Sequence, residues 1–400
     1  MMIKLSSCRV KRASLLLSVV FFGAFSVFSS VALSVEAKED CCRTENVILI
    51  TLDGVRWQEV FEGVDRRFFD QKNFLAYKKT HDDFKKEFWR EKPEDRRKIL
   101  FPFLWNVVAK KGQLYGNRYQ GSRADITNKL HFSYPGYNEI LTGFADPRIK
   151  SNDKMANPNW TFLEWLAHQP NLKGRTAAFG SWDVFPYIIN EKRSGIFVNA
   201  GFEPMDIMLD NPRILQLNQL QKDIPSPWDT VRLDAFTFNF AFEYLKEKQP
   251  KALYISLGET DDFAHDGHYD QYIYAARRAD DFIGKLWHWV QNNPHYRNKT
   301  TLLIATDHGR GHREIEQWKH HGRFAYTDEN GQKKIADIKG DDTIWMAVIG
   351  PDTPATGEMK HVRGIKQNQI AATLVKFMGL KYKASHVTIP AGKPIDMMFK

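Results

Sequence analysis

Thr301–Gly311 reads TLLIATDHGRG, an apolar run that stops at an aspartate and a histidine and then turns on glycine. A continuous run of this length, rich in Ile, Val and Leu, is the mark of a strand buried on both faces of a parallel sheet. The pattern recurs at Asn46–Thr51 before Asp53, at Ala252–Leu257 before Glu259, and at Thr343–Ile349 before Gly350. Helical periodicity fills the intervals, most clearly over Tyr269–Gln291, where Ile273, Ala276, Ile283, Leu286 and Val290 recur at helical spacing, and over Gln367–Phe377. The expected fold is therefore α/β, a three-layer sandwich with a mostly parallel central sheet and helices on both faces, plus a cap insert. Ligands of such sheets sit beyond the carboxyl ends of the strands, and three of these strands deliver acidic or imidazole groups to that edge.

Four clusters carry the chemistry. Ile50-Thr51-Leu52-Asp53-Gly54 ends a strand in a carboxylate that can face a ligand, although a strand ending in Asp-Gly is more often an ordinary turn. In Phe132-Ser133-Tyr134-Pro135-Gly136-Tyr137-Asn138 a hydroxyl stands at the start of an expected helix, where the dipole favours an alkoxide and a bound phosphate; a serine N-cap is the plainer reading. Glu259–His268 packs Asp261, Asp262, His265 and His268 into one loop directly after a buried strand. Asp261 and His265, four apart, share a helix face and can bind one ion. Asp307 and His308 form the fourth cluster, followed by Trp318-Lys319-His320-His321-Gly322-Arg323, in which either imidazole is available and His321 is the stronger candidate. Oxygen and nitrogen donors without thiolate suit zinc, and manganese or iron less well. Three carboxylates, three imidazoles and one hydroxyl, seven groups in all, exceed one tetrahedral ion, so two divalent ions are implied, a pair able to clamp both oxygens of an in-line displacement at phosphorus.

With these motifs in this order, the sequence resembles the alkaline phosphatase superfamily, in its nucleotide pyrophosphatase/phosphodiesterase-like branch. The resemblance falls on Asp53, Ser133 with Pro135, Asp261 with His265, Asp307-His308-Gly309 and His321-Gly322, and runs from Asn46 to about Pro351. It implies that one ion is held by Asp261, His265 and His321, and the other by Asp53, Asp307, His308 and the Ser133 oxygen. It also implies Ser133 as nucleophile, a phosphoseryl intermediate on a small-molecule phosphate mono- or diester, and Asn152 as a donor to a non-bridging oxygen. Asn152 in Ser151-Asn152-Asp153 is equally a turn former. Serine in place of the branch's more usual threonine, and the lack of an arginine beside Ser133, leave monoester against diester preference open.

The ends and the composition set the compartment. Lys4, Arg9, Lys11 and Arg12 precede an apolar run from Leu15 to Leu33 and small residues at Ala32 and Ala37, the layout of a cleaved signal peptide over 1–37. The expectation is a periplasmic or secreted protein, with a single catalytic domain over 38–400, cap insertions and no membrane span after cleavage. Formal net charge falls from +9 for the full chain to about +6 once the leader is gone. The basic residues cluster in Lys78–Lys98, an expected helical insert without the aromatic pattern that would argue for a nucleic acid duplex. Phe61–Lys98 and Asp183–Pro227 are the expected cap. The adjacent Cys41 and Cys42 do not make a disulfide framework. Asn159 and Asn298 stand in glycosylation sequons. No feature of the sequence fixes the oligomeric state.

Three other readings compete. A sulfatase of the same fold matches Ser133-x-Pro135 but has Tyr137 at its signature arginine position. A phosphosugar mutase also uses two metals and a serine, against which the leader argues. A secreted binding protein with a structural metal would not depend on Ser133.

Overall fold

Every side chain of Asn46–Leu52 is buried, so the strand has no face for water. The computed structural model describes residues 43–400 apart from 70, 77–80, 328–329 and 385–387; the expected leader, Cys41 and Cys42 lie outside the described residues. Strand side chains alternate between faces, and here the alternation feeds two separate cores. Ile48, Ile50 and Leu52 belong to one, together with Leu253, Ile255, Leu257, Leu302 and Ile304. Val47 and Leu49 belong to the other, with Tyr254, Leu303 and Ala305. Helices Asp234–Lys248 and Tyr269–Asn292 cover the first face, and Ser133–Thr142, Phe162–Ala167 and Ile370–Phe377 the second.

The central sheet has eight strands in the order Gly357–Glu358, Gln113–Tyr115, Met346–Ile349, Thr300–Ala305, Asn46–Leu52, Ala252–Leu257, Thr176–Gly180 and Phe197–Ala200. Asn46–Leu52 lies parallel to both neighbours, with Thr51 level with Ser256 on one side and Ala305 on the other. The three central strands thus end together, and the segments leaving them meet at one edge.

Two expectations need correction. Thr343–Ile349 is not one parallel strand: Thr343–Ile344 joins a separate three-stranded sheet, and Met346–Ile349 runs antiparallel to Thr300–Ala305. Between the two pieces Trp345 turns its indole N–H to the Val55 carbonyl, 2.9 Å away, so the break serves packing under the site. Asp183–Pro227 is not wholly cap, because Phe197–Ala200 within it is an edge strand of the main sheet. The Phe61–Lys98 segment is helical over His81–Phe88 and Pro93–Leu100. It packs through Phe68 and Phe74 against Trp318, beside the loop that leads to His321. Among the described residues no helix is long and apolar enough to cross a membrane.

The Ser133–Thr142 helix is pressed onto the end of the Thr300–Ala305 strand. A Cβ at Gly136 would stand 2.7 Å from the Asp307 carbonyl oxygen, nearer than side-chain carbons come. Helix propensity alone gives Gly136→Ala a gain of about 1 kcal/mol, whereas the close approach sets a net loss of about 1–3 kcal/mol. Denaturant unfolding of the ion-free protein distinguishes the two, and a gain would mean that helix and strand have slack at this point.

Candidate metal centre

Asp53 follows its strand directly, and Gly54 takes a left-handed conformation at φ 61° that turns the chain back across the sheet edge. The Gly54 N–H donates to Asp307 Oδ1 at 3.1 Å, and the Tyr137 hydroxyl donates to Asp53 Oδ2 at 2.7 Å. His308 donates from Nδ1 to the Gly309 carbonyl at 2.9 Å, which leaves Nε2 as the free lone pair. Each group is therefore held by one atom and offers the other. The three atoms left over, Asp53 Oδ1, Asp307 Oδ2 and His308 Nε2, are buried without any hydrogen-bond partner. His308 Nε2 lies 3.3 Å from each of the two oxygens.

Such an arrangement is unfavourable without a cation. Burial, and then the neighbouring Asp261, pushes Asp53 up to about 7. Burial and the Asp53 charge hold Asp307 well above the carboxylate range. Burial pushes His308 down to about 4, so it stays an uncharged donor at neutral pH. A divalent ion offers both carboxylates a counter-charge and accepts all three unpartnered atoms, so the donor set fits a metal.

A second donor set adjoins the first. Asp261, on the helix Glu259–His265, places Oδ2 3.0 Å from His265 Nε2. His265 Nε2 is 3.1 Å from His321 Nε2, and His321 Nε2 is 3.7 Å from Asp261 Oδ1. His321 donates from Nδ1 to the His131 carbonyl at 3.0 Å, which again exposes Nε2. The His308 and His321 rings stack at 3.7 Å, so the two sets share a wall. His308 Nε2 is within reach of both, but at 3.9 Å from Asp261 Oδ1 against 3.3 Å from Asp53 and Asp307 it belongs with the latter pair. Burial would raise Asp261, yet His265, Arg310 and His321 together draw it well below the usual carboxylate value. His321 is pushed down to about 4, first by burial and then by His308.

Ser133 opens the ten-residue helix Ser133–Thr142 as its first residue; the preceding Phe132 is the N-cap and no side chain caps the helix. The capping reading of Ser133 is thereby removed. Gly136 and Tyr137, three and four positions on, touch Asp307 and Asp53, so Ser133 is on the helix face turned to the centre. Asn152 accepts from the Tyr134 N–H at 3.0 Å through Oδ1, which ties it to this helix start and leaves its Nδ2 donors outside that bond. Asp262, also considered as a ligand, is not in either donor set; burial and the charges of Asp261 and Asp53 push it up to about 9. His268 and His320 are likewise outside both sets.

Three functional residues escaped the sequence reading. Arg310 is buried, donates to the Trp318 and Lys319 carbonyls at 2.7 and 2.5 Å, and pairs with Asp261. It binds the Asp261 carboxylate to the loop that carries His321. His131, at φ 56°, presents the carbonyl that fixes the His321 ring. Asp341 holds that arrangement, accepting from His131 Nδ1 at 2.9 Å and from the Gly322 N–H at 2.7 Å. An arginine two residues past Asp307-His308 was a visible signal for Arg310; His131, acting through its carbonyl, and Asp341, a buried acceptor remote in the chain, had none. Asn159, read as a sequon, is 1% exposed and donates to Asp146 at 2.7 Å, so it is closed to glycosylation in the fold.

The chain belongs to the alkaline phosphatase superfamily. The fold is similar to wild-type alkaline phosphatase PafA, with 10% identity and a TM-score of 0.56 over 90% of this chain and 99% of that one. It is also similar to BT1596, a 2-O GAG sulfatase, with 10% identity and a TM-score of 0.50 over 86% of this chain and 73% of that one. No curated protein matches the chain. Residues 63–376 match the profile of type I phosphodiesterase / nucleotide pyrophosphatase, and the chain belongs to that family. It is accordingly a phosphoester hydrolase. The matched range holds Ser133 and every donor named above except Asp53, which lies just ahead of it.

The raised Asp53 sets a pH dependence for the ion-free protein. A carboxyl with a higher value folded than unfolded stabilises the fold fully below its ordinary value of 3.8, and that stability is lost as pH rises through about 7. The unfolding temperature of chelator-treated protein is expected to fall across this interval. Asp53→Asn should flatten the fall. Zinc at a thousandfold excess over Kd should add about 4 kcal/mol at neutral pH. A flat wild-type profile with no zinc effect would remove the metal centre.

Proposed function

We propose that this chain is an exported, zinc-dependent hydrolase that cleaves phosphodiesters through a phosphoseryl intermediate on Ser133, with one catalytic domain over 38–400 behind a cleaved leader. The observation that carries the reading is the convergence of three buried, unpartnered donor atoms on Asp53, Asp307 and His308. Two ions, one held by Asp53, Asp307 and His308 and one by Asp261, His265 and His321, would supply counter-charge for an in-line displacement. The chain's own groups do the rest. The helix start orients the Ser133 hydroxyl, and the positive end of the helix dipole favours developing negative charge there. Asn152, tied to the helix start through Oδ1, would donate from Nδ2 to a non-bridging phosphoryl oxygen. His308 and His321, kept uncharged by burial, remain ligands through neutral pH. Asp261, drawn low by its cationic neighbours, remains ionised.

A diester is favoured over a monoester by the family and by the surroundings of Ser133. No lysine or arginine stands in the Phe132–Asn138 segment around Ser133, so its chain neighbours offer nothing to offset the second charge of a monoester. Purified, zinc-loaded protein should hydrolyse bis-p-nitrophenyl phosphate faster than p-nitrophenyl phosphate and leave p-nitrophenyl sulfate intact. Ser133→Ala should lower kcat by about a thousandfold or more while retaining its zinc, measured by metal analysis. Preferential sulfate turnover would establish the sulfatase reading instead, and a fully active Ser133→Ala protein would remove the nucleophile.

A further inference from the structure

Behind the loop that carries His321 lies a second cavity that the chemistry above leaves unused. It measures about 300 Å³ and is lined by Lys129, His131, Gly322, Arg323, Lys339 and Asp341 among others, at the small end of ligand pockets but ample for a charged group and a few attached atoms. Asp341 is committed elsewhere, with one oxygen on His131 and the other on the Gly322 N–H. Lys129, Arg323 and Lys339 are exposed, and among the described residues none of the three has a side-chain ion pair or hydrogen bond. Three cationic heads around one hollow repel each other, and an anionic guest reverses the sign of that interaction.

The cavity adjoins the centre through the chain itself. Gly322 follows His321, and the His131 carbonyl is the group that receives the His321 N–H at 3.0 Å. The second donor set is the one open to solvent, since the His265 side chain is 42% exposed where the Asp53 and Asp307 side chains are 8% and 0%. Lys129, Arg323 and Lys339 are thus the cationic groups of a cavity that abuts the His321 loop.

We propose that this cavity binds an anionic group, a phosphoryl, sulfate or carboxylate, carried on the part of the ester that departs past His321. The inference rests on the phosphoester-hydrolase reading and narrows the substrate to diesters with an additional negative charge on one side.

The test uses methyl nitrophenyl phosphodiesters that differ only in a ring substituent, a carboxylate in one and the uncharged carboxamide in its twin. Calorimetry with zinc-loaded Ser133→Ala protein measures binding without turnover. The carboxylate twin is expected to bind tenfold or more tightly than the carboxamide, and the Lys129→Met/Lys339→Met pair to bring that ratio close to one. Ring sulfonate and phosphonate versions rank which anion the cavity prefers. Equal affinity for the twins, or a ratio unchanged by the two lysine substitutions, overturns the assignment. Turnover of both twins by the serine protein with no binding preference removes the cavity and leaves the hydrolase. A binding preference without turnover does the reverse.

Discussion

Two carboxyl groups confined in a dry space, where ionising them needs a cation, are the constraint around which this molecule is arranged. Asp53 and Asp307 bring two carboxylates to within 3.3 Å of one imidazole nitrogen, away from water and with no proton donor on the facing atoms. A protein interior tolerates unpaired ionised groups poorly, by several kcal/mol each. The remaining atoms of the same side chains are all anchored, to Gly54, Tyr137 and Gly309, so the groups cannot swing away to relieve the strain. The fold thus maintains a site complementary to a cation at the expense of its own stability.

The surrounding shell shows how the second donor set is held to the same standard. His321 comes from a loop with little regular structure, yet its ring is fixed by the His131 carbonyl, and that carbonyl by a His131–Asp341–Gly322 chain of hydrogen bonds. Arg310 performs the matching service for Asp261, linking it to the carbonyls of Trp318 and Lys319. Outer groups of this kind set ligand orientation and basicity. The insert, with Phe68 stacked on Tyr269 at a ring separation of 3.9 Å and edge-on to Trp318, backs the loop from outside.

Much of this could be read from the sequence, and the boundary of what could not is physical. Buried parallel strands need long apolar runs, so Asn46–Thr51, Ala252–Leu257 and Thr301–Ala305 announced themselves, and the polar residues immediately after them had to share an edge. Strand direction leaves no trace in hydrophobicity, which is why Met346–Ile349 was expected to run with its neighbours and runs against them. Choosing Asp261 over Asp262 depends on which side chain turns inward, a matter of one helical step. His131 and Asp341 contribute a carbonyl and a buried acceptor, roles to which almost any local sequence is indifferent.

The order of the central strands also bears on how the chain reaches this state. Thr51 and Tyr254, whose hydroxyls meet at 2.9 Å, are 203 positions apart, and the other partner of Asn46–Leu52 begins only at Thr300. The earliest apolar strand to be synthesised has no sheet neighbour until most of the chain exists. Such long-range pairing makes for slow folding and prolonged exposure of aggregation-prone surface. Asp53 and Asp307 can meet only once the chain has been made through Thr300–Ala305, so the donor set that contains both forms late.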